Sequence, residues 1–276
     1  MDNAIYDFEK ESAEPLHRIG AGSCGSVWSE TRLSRWSIAI KREDGEEGRS
    51  LENDSDMHQR LLAAYRSGSV GGFQIPKWYG YISTENARGI AHRFPVGYTS
   101  CNILLTERIL PLPGIVRSIL IMKDCPPACR CSISNDPKNA VCLVRPYLGK
   151  RRRTYNNSKV HAFSLRNFPL HINQMEELGL DTKEYSLRMA KALAFMHWSA
   201  KVDANDVEFV LAPTDRSFSD MYSSALGDHS LWILDFNYCR PMTMDVAGLH
   251  QAMRAFWRND PFYPRPGSVE ERDRGL

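Results

Sequence analysis

The chain has 276 residues, enough for one large domain or two small ones around a buried core. Hydrophobic residues make up 42% and charged residues 25% of it, values that argue against a disordered chain and a coiled coil. With 35 Lys and Arg against 33 Asp and Glu, the net charge is only +2. A broadly basic DNA-binding protein is therefore excluded, and any nucleic-acid contact must use a local patch.

Neither a targeting signal nor a membrane span is expected. The start of the chain has no basic region and no apolar core, both of which a secretory signal requires. The longest apolar stretch, residues 115–122, is far shorter than the roughly 20 residues of a transmembrane helix, and Arg117 interrupts it. The sequence therefore predicts a cytoplasmic protein without a membrane partner.

Seven cysteines are present, and in a cytoplasmic chain we expect them to be reduced thiols. Four of them lie close together in the middle of the chain: Cys125, Cys129, Cys131 and Cys142. Their spacing, C-x3-C-x-C-x10-C, matches no zinc ribbon or knuckle, so we assign no metal to the chain.

The first part of the chain is predicted to be rich in β-strands. Residues 18–28 are typical of two strands joined by a glycine turn, and residues 36–41 alternate apolar and polar side chains as a third strand does. A helix is predicted over residues 50–65, because apolar side chains recur there at roughly helical spacing.

The second part is predicted to contain both strands and helices. A strand is predicted over residues 141–147, in a segment rich in Pro, Cys and Asn. Asp181 is a capping residue that predicts the start of a helix. Two short apolar runs, 208–211 and 231–234, predict a buried hairpin, and residues 245–257 predict a last amphipathic helix.

A glycine motif lies between the first two predicted strands. Residues 20–27 match the pattern G-x-G-x-x-G-x-V, with glycines at Gly20, Gly22 and Gly25. A dinucleotide-binding turn joins a strand to a helix, so the strands on both sides exclude it here. Further along, Lys41 ends the run Ile-Ala-Ile-Lys, as the phosphate-binding strand lysine of protein kinases does.

Two later segments stand where kinases carry motifs, in the same order. Asp203 stands at the position of the Asp in His-Arg-Asp, and Asp235 stands at the position of the Asp in Asp-Phe-Gly. We therefore predict an α+β, two-lobed protein-kinase-like fold with a reduced C-terminal helical lobe. Residues 1–113 form a β-rich lobe with the glycine loop and one helix, and residues 114–276 form a mainly helical lobe that carries the acidic segment 203–208.

Several positions depart from kinase chemistry. Glu208 stands where kinases carry the asparagine that holds a second magnesium ion. The helix glutamate that pairs with the strand lysine is replaced by His58, with Asp54 one turn earlier. No Ala-Pro-Glu motif follows, and the chain after Asn237 is short. We therefore expect a kinase-like cleft that does not perform the kinase reaction.

The segment from Asp203 to Glu208 is strongly acidic. Asp203, Asp206 and Glu208 lie within six residues, and in an extended segment Asp206 and Glu208 would share one face. Because crowded carboxylates repel, one of them can keep its proton near neutral pH and act as a base. The three can equally bind a guanidinium group or a metal, or form a solvated turn.

Six segments carry a family resemblance: residues 41–50, 107–113, 163–170, 196–198, 203–211 and 259–266. They resemble a fungal kinase-like family that includes the tRNA-dependent, arginine-containing cyclodipeptide synthases, and the resemblance spans most of residues 15–267. It implies an enzyme of natural-product biosynthesis that joins two aminoacyl groups, one of them arginyl, into a cyclic dipeptide (a diketopiperazine). Aminoacyl esters on tRNA are already activated, so no cofactor is expected.

This hypothesis assigns a role to each candidate residue. The catalytic residues are Asp203, Asp206 and Glu208, which bind the guanidinium group or take a proton from the amine. The residues assigned to substrate binding are Lys41, Asp235, Gly20, Gly22, Gly25, Asp54 and His58. The basic run Lys150, Arg151, Arg152 and Arg153 is predicted to contact the tRNA backbone. Candidates for a covalent intermediate, by position alone, are Ser23, Cys24 and Ser26.

Two alternatives remain open. An atypical kinase or phosphotransferase would use Lys41, Asp203 and Asp235 in kinase roles, and binding of nucleotide with magnesium would favour it. A non-catalytic pseudokinase module would bind a partner tightly without turnover. No DNA partner is expected, and the sequence identifies neither the second amino acid nor the oligomeric state.

Overall fold

The protein is described from a computed structural model that covers residues 16–31, 37–45, 50–68, 71–152, 163–214 and 222–266. These residues form two five-stranded β-sheets and several helices, so the fold is α+β, as predicted. Within the same ranges, none of the helices combines the length and the apolar character that crossing a bilayer demands.

The first sheet is antiparallel, with strand order β1-β2-β3-β5-β4. Its strands are β1 Leu16–Ala21, β2 Ser26–Glu30, β3 Ile38–Arg42, β4 Trp78–Ile82 and β5 Ile103–Glu107. In the central strand β3, Ile40 packs into the apolar cluster on one face, with Trp28 and Leu105. Because side chains alternate along a strand, Lys41 points to the opposite face.

Helix α1, Leu51–Ser67, contacts strands β4 and β5 of this sheet. It begins where the sequence predicts, since the hydroxyl of Ser50 accepts the backbone N–H of Asn53 at 3.3 Å. Asp54 and His58 are both buried, and a spacing of four residues places them one turn apart on the same side of the helix.

The second half of the chain carries a sheet of its own, with strand order β7-β6-β8-β10-β9. Its strands are β6 Val144–Tyr147, β7 Phe168–His171, β8 Glu208–Ala212, β9 Tyr222–Ser224 and β10 Gly227–Leu234. Strands β6 and β7 are parallel, and the other pairs are antiparallel. Several of these strands are very short and buried, so the sequence shows little of the alternation that marks a strand.

The helices of this half are α2 Gly114–Asp124, α3 Arg130–Asn135, α4 Ile172–Glu177, α5 Thr182–Ala194 and α6 Val246–Arg258. Short 3-10 turns lie at Asn86–Arg93, Pro127–Cys129 and Pro137–Val141. The predicted start of α5 is confirmed, because the Asp181 carboxylate accepts the N–H of Glu184 at 2.9 Å. Helix α5 continues into a π-turn, Phe195–Ser199.

The two halves of the chain are joined by hydrogen bonds as well as by the connecting chain. Gln74 donates its N–H to the Leu231 carbonyl at 2.7 Å and accepts the N–H of Ile233 at 2.9 Å. On α1, the Asn53 amide donates to the carbonyl of Asn237 at 2.8 Å. These bonds hold β10 against the segment before β4, and the residues after β10 against the start of α1; the space between the two sheets forms a cavity.

Candidate functional site

A cavity of about 210 Å³ lies between the two sheets. Its walls are the β1–β2 turn, β3, α1, the start of β8 and the end of β10. It collects the predicted substrate-binding residues and one of the three predicted catalytic residues: Gly20, Gly22, Gly25, Lys41, Asp54, His58, Asp235 and Glu208. Acidic and basic side chains line it together, so charges compensate one another inside the site.

The glycine turn closes one side of the cavity. Gly22 donates its N–H to the Gly25 carbonyl at 2.8 Å, and Gly25 donates back to Gly22 at 3.2 Å, so these two N–H groups are already used within the turn. Gly25 has φ of 147°, and an added Cβ would collide with the carbonyl oxygen of Arg42. Position 25 of this turn therefore requires glycine.

Lys41 is held between two carboxylates. Its ammonium donates to Asp54 at 2.7 Å and to Asp235 at 2.7 Å. Burial alone would lower the pKa of Lys41, but the charges of Asp235 and Asp54 overcome that effect and raise the pKa above its usual value. Asp54 also accepts the N–H of Phe236 at 3.1 Å, so both of its oxygens are bonded.

His58 does not take the position opposite Lys41 that the sequence interpretation gave it. Its Nε2 is 2.7 Å from the carbonyl oxygen of Pro76, which fixes it as a donor to the backbone. Burial lowers its pKa, so the ring stays neutral at physiological pH. Asp54, one turn earlier, forms the ion pair with Lys41 instead, at 2.7 Å.

Asp235 stands directly after β10 in a left-handed conformation, with φ of 63°. A non-glycine residue in this region carries backbone strain, which is common where a side chain is fixed for function. Its side chain is 30% exposed, and its Oδ1 accepts from Lys41. No hydrogen bond reaches Oδ2 from the described residues, so this oxygen is available to a ligand.

Glu208 is the first residue of β8, and it pairs with Arg145 of β6. One guanidinium nitrogen of Arg145 donates to both carboxylate oxygens, at 2.5 and 2.6 Å. Burial raises the pKa of Glu208 to about 7, since the opposing charge of Arg145 is offset in part by the nearby charge of Asp235. A carboxylate with this pKa can gain or lose a proton near neutrality.

Sequence reasoning missed Arg145. It lies in a four-residue strand, and no motif surrounds it. It reaches Glu208 because β6 pairs with β8 through Val144 and Leu211, a register that no local pattern indicates. Its second nitrogen also lies 3.8 Å from Asp260, which accepts a hydrogen bond from Tyr147 at 2.6 Å.

Asp203 and Asp206 do not share the cavity with Glu208. Asp203 is 5% exposed, and it accepts bonds from the N–H groups of Arg240 and Asn205, at 2.9 and 3.1 Å. Asp206 is exposed, with φ of 60°. The expectation that Asp206 and Glu208 lie on one face is therefore wrong: β8 begins only at Glu208, and the preceding loop does not alternate.

Lys150, Arg151 and Arg152, the described part of the predicted basic run, lie away from the cavity lining. Arg151 forms a paired contact with Glu176, at 2.8 and 2.9 Å, and Arg152 donates to Asp124 at 2.9 Å. Lys150 is exposed, and Arg153 lies outside the described residues. Because carboxylates neutralise two of its arginines, the run has less charge for phosphates than its sequence suggests.

The cysteines form neither disulfides nor a metal centre in the structure. All seven are free thiols, and burial raises the pKa of Cys142 to about 12. Among the described residues, no three His, Cys, Asp or Glu side chains are arranged to hold a metal ion. The Cys24 thiol is also buried, which raises its pKa, and Ser26 is bonded to Asp44, so neither is activated as a nucleophile.

One family of known proteins matches part of the chain. The family described as "DUF3669: Zinc finger protein" matches residues 231–276, well under half of the sequence. This finding corrects the family resemblance drawn from the sequence, because neither a kinase-like nor a cyclodipeptide synthase family is matched. No curated protein matches the chain.

The residues in the matched part do not fit the zinc of that description. A structural zinc site uses four Cys or His ligands. Residues 231–276 contain one cysteine, Cys239, and one histidine, His250. Cys239 is buried, and its thiol lies 3.3 Å from the carbonyl oxygen of Asn205, so it already has a backbone partner.

Proposed function

We propose that the chain is a tRNA-dependent aminoacyltransferase that forms an arginine-containing cyclic dipeptide, with its chemistry in the cavity between the sheets. The observation that supports this most is Glu208, a carboxylate with a pKa near neutrality that shares the cavity with the partly exposed Asp235. Joining two aminoacyl esters needs a base for an ammonium group and an anion for an arginyl side chain, and these two carboxylates are suited to the tasks.

The role of Asp235 is to bind the guanidinium group of the arginyl residue. Its Oδ1 is held by Lys41, so the carboxylate has a fixed position, while Oδ2 is free to accept N–H groups. A charge-assisted hydrogen bond to a guanidinium is among the stronger polar contacts in proteins. Since Lys41 already neutralises part of the charge of Asp235, guanidinium binding depends on hydrogen-bond geometry as well as on electrostatic attraction.

The role of Glu208 is to take the proton from the α-ammonium group of one aminoacyl ester. The freed nitrogen attacks the ester carbonyl carbon of the second aminoacyl-tRNA. Glu208 passes this first proton to solvent. As the C–N bond forms and the C–O bond to the tRNA ribose breaks, Glu208 takes the second proton from the attacking nitrogen and delivers it to the ribose oxygen. The same step within the resulting dipeptidyl ester closes the ring and releases the second tRNA. The N–H group of Cys24, which lines the cavity and makes no hydrogen bond with the described residues, is suited to the developing oxyanion.

The size of the cavity supports an aminoacyl group better than a nucleotide. At about 210 Å³ it is smaller than the roughly 300–1,000 Å³ of pockets for drug-sized ligands. An amino acid side chain with its ester carbonyl needs less room than adenosine with three phosphates. The tRNA itself would stay outside and insert only its acylated end.

A phosphotransferase is the second candidate, because Lys41 pairs with an acid on a helix. In protein kinases a strand lysine pairs with a helix glutamate, and an aspartate near it holds magnesium. Lys41, Asp54 and Asp235 are a comparable set, which also supports the inference that the two halves are arranged like kinase lobes. Against this candidate, Asp203 is bonded on both oxygens, by backbone N–H groups and by Gln251 at 2.8 Å, and is poorly placed to act as a base.

The proposal is tested by mass spectrometry of products after the chain is expressed in a host that supplies its own charged tRNAs. We expect a cyclic dipeptide that contains arginine. In Glu208→Gln, which keeps the shape but removes the base, we expect product to fall by at least about a hundredfold, the usual scale for losing an acid–base group.

Glu176→Gln is the matched control, because Glu176 forms a paired contact with Arg151 outside the cavity. It loses the same kind of ion pair and should keep its product level. Equal product from both variants would remove Glu208 from the chemistry. Absence of any cyclic dipeptide from the wild-type chain would reject the proposed function itself.

A further inference from the structure

The outer side of helix α6 presents two adjacent stripes to solvent. The first is apolar and about half or more exposed, with Val246 at 68%, Leu249 at 56%, Met253 at 50% and Trp257 at 49%. A helical wheel places these four side chains within one narrow sector. The opposite side of α6 is buried through Gly248, Ala252 and Ala255. The fold therefore leaves an apolar helix face uncovered within the described residues.

The second stripe is basic and lies beside the apolar one. It consists of His250, Arg254 and Arg258, all exposed and spaced by four residues, so that they line up along the helix. Within the described part of the chain, no carboxylate lies within ion-pair distance of Arg254 or Arg258. Their charge is thus uncompensated, in contrast to that of Arg151 and Arg152.

Trp257 and the two arginines together match single-stranded RNA. Arginine side chains bind phosphates, and an exposed indole offers a surface on which an unstacked base can pack. A second copy of the chain is a poorer occupant, because a symmetric contact along this face would bring like charges together. Because Arg254 and Arg258 have no ion-pair partner among the described residues, negatively charged RNA complements this face better than a second copy does.

Helix α6 also touches the loop that leads into the cavity. From its inner side, Gln251 donates to the Asp203 carboxylate at 2.8 Å. Directly after the helix, the Asn259 side chain accepts the N–H of Asp206 at 2.6 Å. Only Val207 separates this contact from Glu208. A ligand on the outer face of α6 would therefore be separated from the segment that carries the proposed base by the width of the helix, about 10–12 Å.

We propose that the outer face of α6 is the docking surface for the single-stranded acceptor end of tRNA, with Arg254 and Arg258 on phosphates and Trp257 stacked on a base. This inference rests on the proposed function and names the surface for its macromolecular substrate. It replaces the basic run at residues 150–153 as the main RNA contact.

The test is fluorescence anisotropy with a labelled, uncharged arginine tRNA transcript at several salt concentrations. In the double variant Arg254→Gln/Arg258→Gln, we expect the slope of log K against log salt to fall by about 1.4–1.8, the loss of two phosphate contacts. In Trp257→Ala, we expect affinity to fall about tenfold at every salt concentration, because base stacking does not release counterions.

The matched control is Lys183→Gln/Lys191→Gln, which removes two exposed cations from helix α5 and should keep the wild-type slope. An unchanged slope in the Arg254/Arg258 variant would overturn the inference. The inference would also be overturned if the slope fell in an Arg151→Gln/Arg152→Gln variant and not in the Arg254/Arg258 variant. If α6 instead served self-association, Met253→Ser would abolish a dimer in sedimentation without changing tRNA affinity, and that result would also overturn it.

Measuring the cyclic dipeptide beside tRNA binding separates the two proposals. The α6 surface alone would be rejected if the wild-type chain makes product and the Arg254/Arg258 variant binds tRNA and makes product equally well. A wild-type chain that neither binds tRNA nor makes product would reject the proposed function and the surface together.

Discussion

At the scale of single residues, the two carboxylates that face the cavity differ in how firmly the chain holds them. Glu208 has both oxygens on one nitrogen of Arg145, whereas Asp235 uses one oxygen on Lys41. Burial disfavours the charged form of Glu208, so its proton affinity differs between the folded and the unfolded chain. That difference makes stability depend on pH.

The pH dependence has a definite sign. The pKa of Glu208 rises from its ordinary 4.5 to about 7 on folding, so between these values the folded chain binds more protons than the unfolded chain. Its contribution to the free energy of unfolding is therefore full below about pH 4.5 and decreases as the pH rises toward 7. At 1.36 kcal/mol per pKa unit the decrease is about 3 kcal/mol.

Urea unfolding of the wild type and of Glu208→Gln between pH 4.5 and 7.5 measures this contribution. The stability of the wild type should fall relative to that of the variant as the pH rises, because Gln cannot titrate. Glu176→Gln, at an exposed pair, should follow the wild-type curve. Parallel curves for the wild type and Glu208→Gln would show that the Glu208 pKa is ordinary.

At the scale of elements, the β1–β2 turn combines one demanding glycine with one tolerant glycine. A Cβ on Gly25 would meet the Arg42 carbonyl and the Asp44 backbone, and its φ of 147° disfavours any L side chain. A Cβ on Gly22 would meet nothing within 4 Å. Alanine at each of these two positions therefore tests whether the turn needs glycine for lack of space at position 25 or only for backbone flexibility.

We expect Gly25→Ala to lower the free energy of unfolding by about 2–4 kcal/mol, because backbone strain and a steric collision act together. Gly22→Ala should change it by less than about 1 kcal/mol. Thermal melts of both variants measure the difference. Equal melting temperatures would mean that the turn relaxes without cost, and the shape of this cavity wall would then not depend on Gly25.

At the scale of the whole molecule, the cavity exists because two separate sheets meet. Lys41 comes from the first sheet, Glu208 and Asp235 come from the second, and Asp54 from α1 joins them. The Lys41–Asp235 ion pair closes across the space between the sheets, and its partners are 194 residues apart in the chain. Assembly of the site and packing of the two halves are therefore one event.

This arrangement predicts that magnesium and ATP do not bind. The cavity is small, and Glu208 at the predicted second-metal position is held by Arg145. A ligand at 100 times its Kd would stabilise the fold by about 2.7 kcal/mol, a rise of several degrees in Tm. We expect no such rise with millimolar Mg-ATP, measured against magnesium alone and ATP alone. A rise of about 5 °C or more would favour the phosphotransferase.

The sequence was most informative where a signal acts over a few residues. The apolar spacing over residues 50–65 and the capping residue Asp181 predicted two helix starts, and the glycine motif predicted the turn between β1 and β2. The predicted substrate-binding residues all line the cavity, and kinase-like motifs mark two of them, Lys41 and Asp235. The prediction that His58 takes the ion-pair position opposite Lys41 was wrong. The sequence does not show which of two residues one helical turn apart reaches the lysine.

By itself, the sequence determined an α+β chain with a glycine turn, a strand lysine and an acidic segment, because capping, periodicity and turn chemistry are local. Only the tertiary structure decided which carboxylates share the cavity and which arginine meets Glu208. Arg145 and Glu208 are 63 residues apart, and they meet through the register of β6 on β8. Strand register depends on how complete faces pack, and no short segment contains that information.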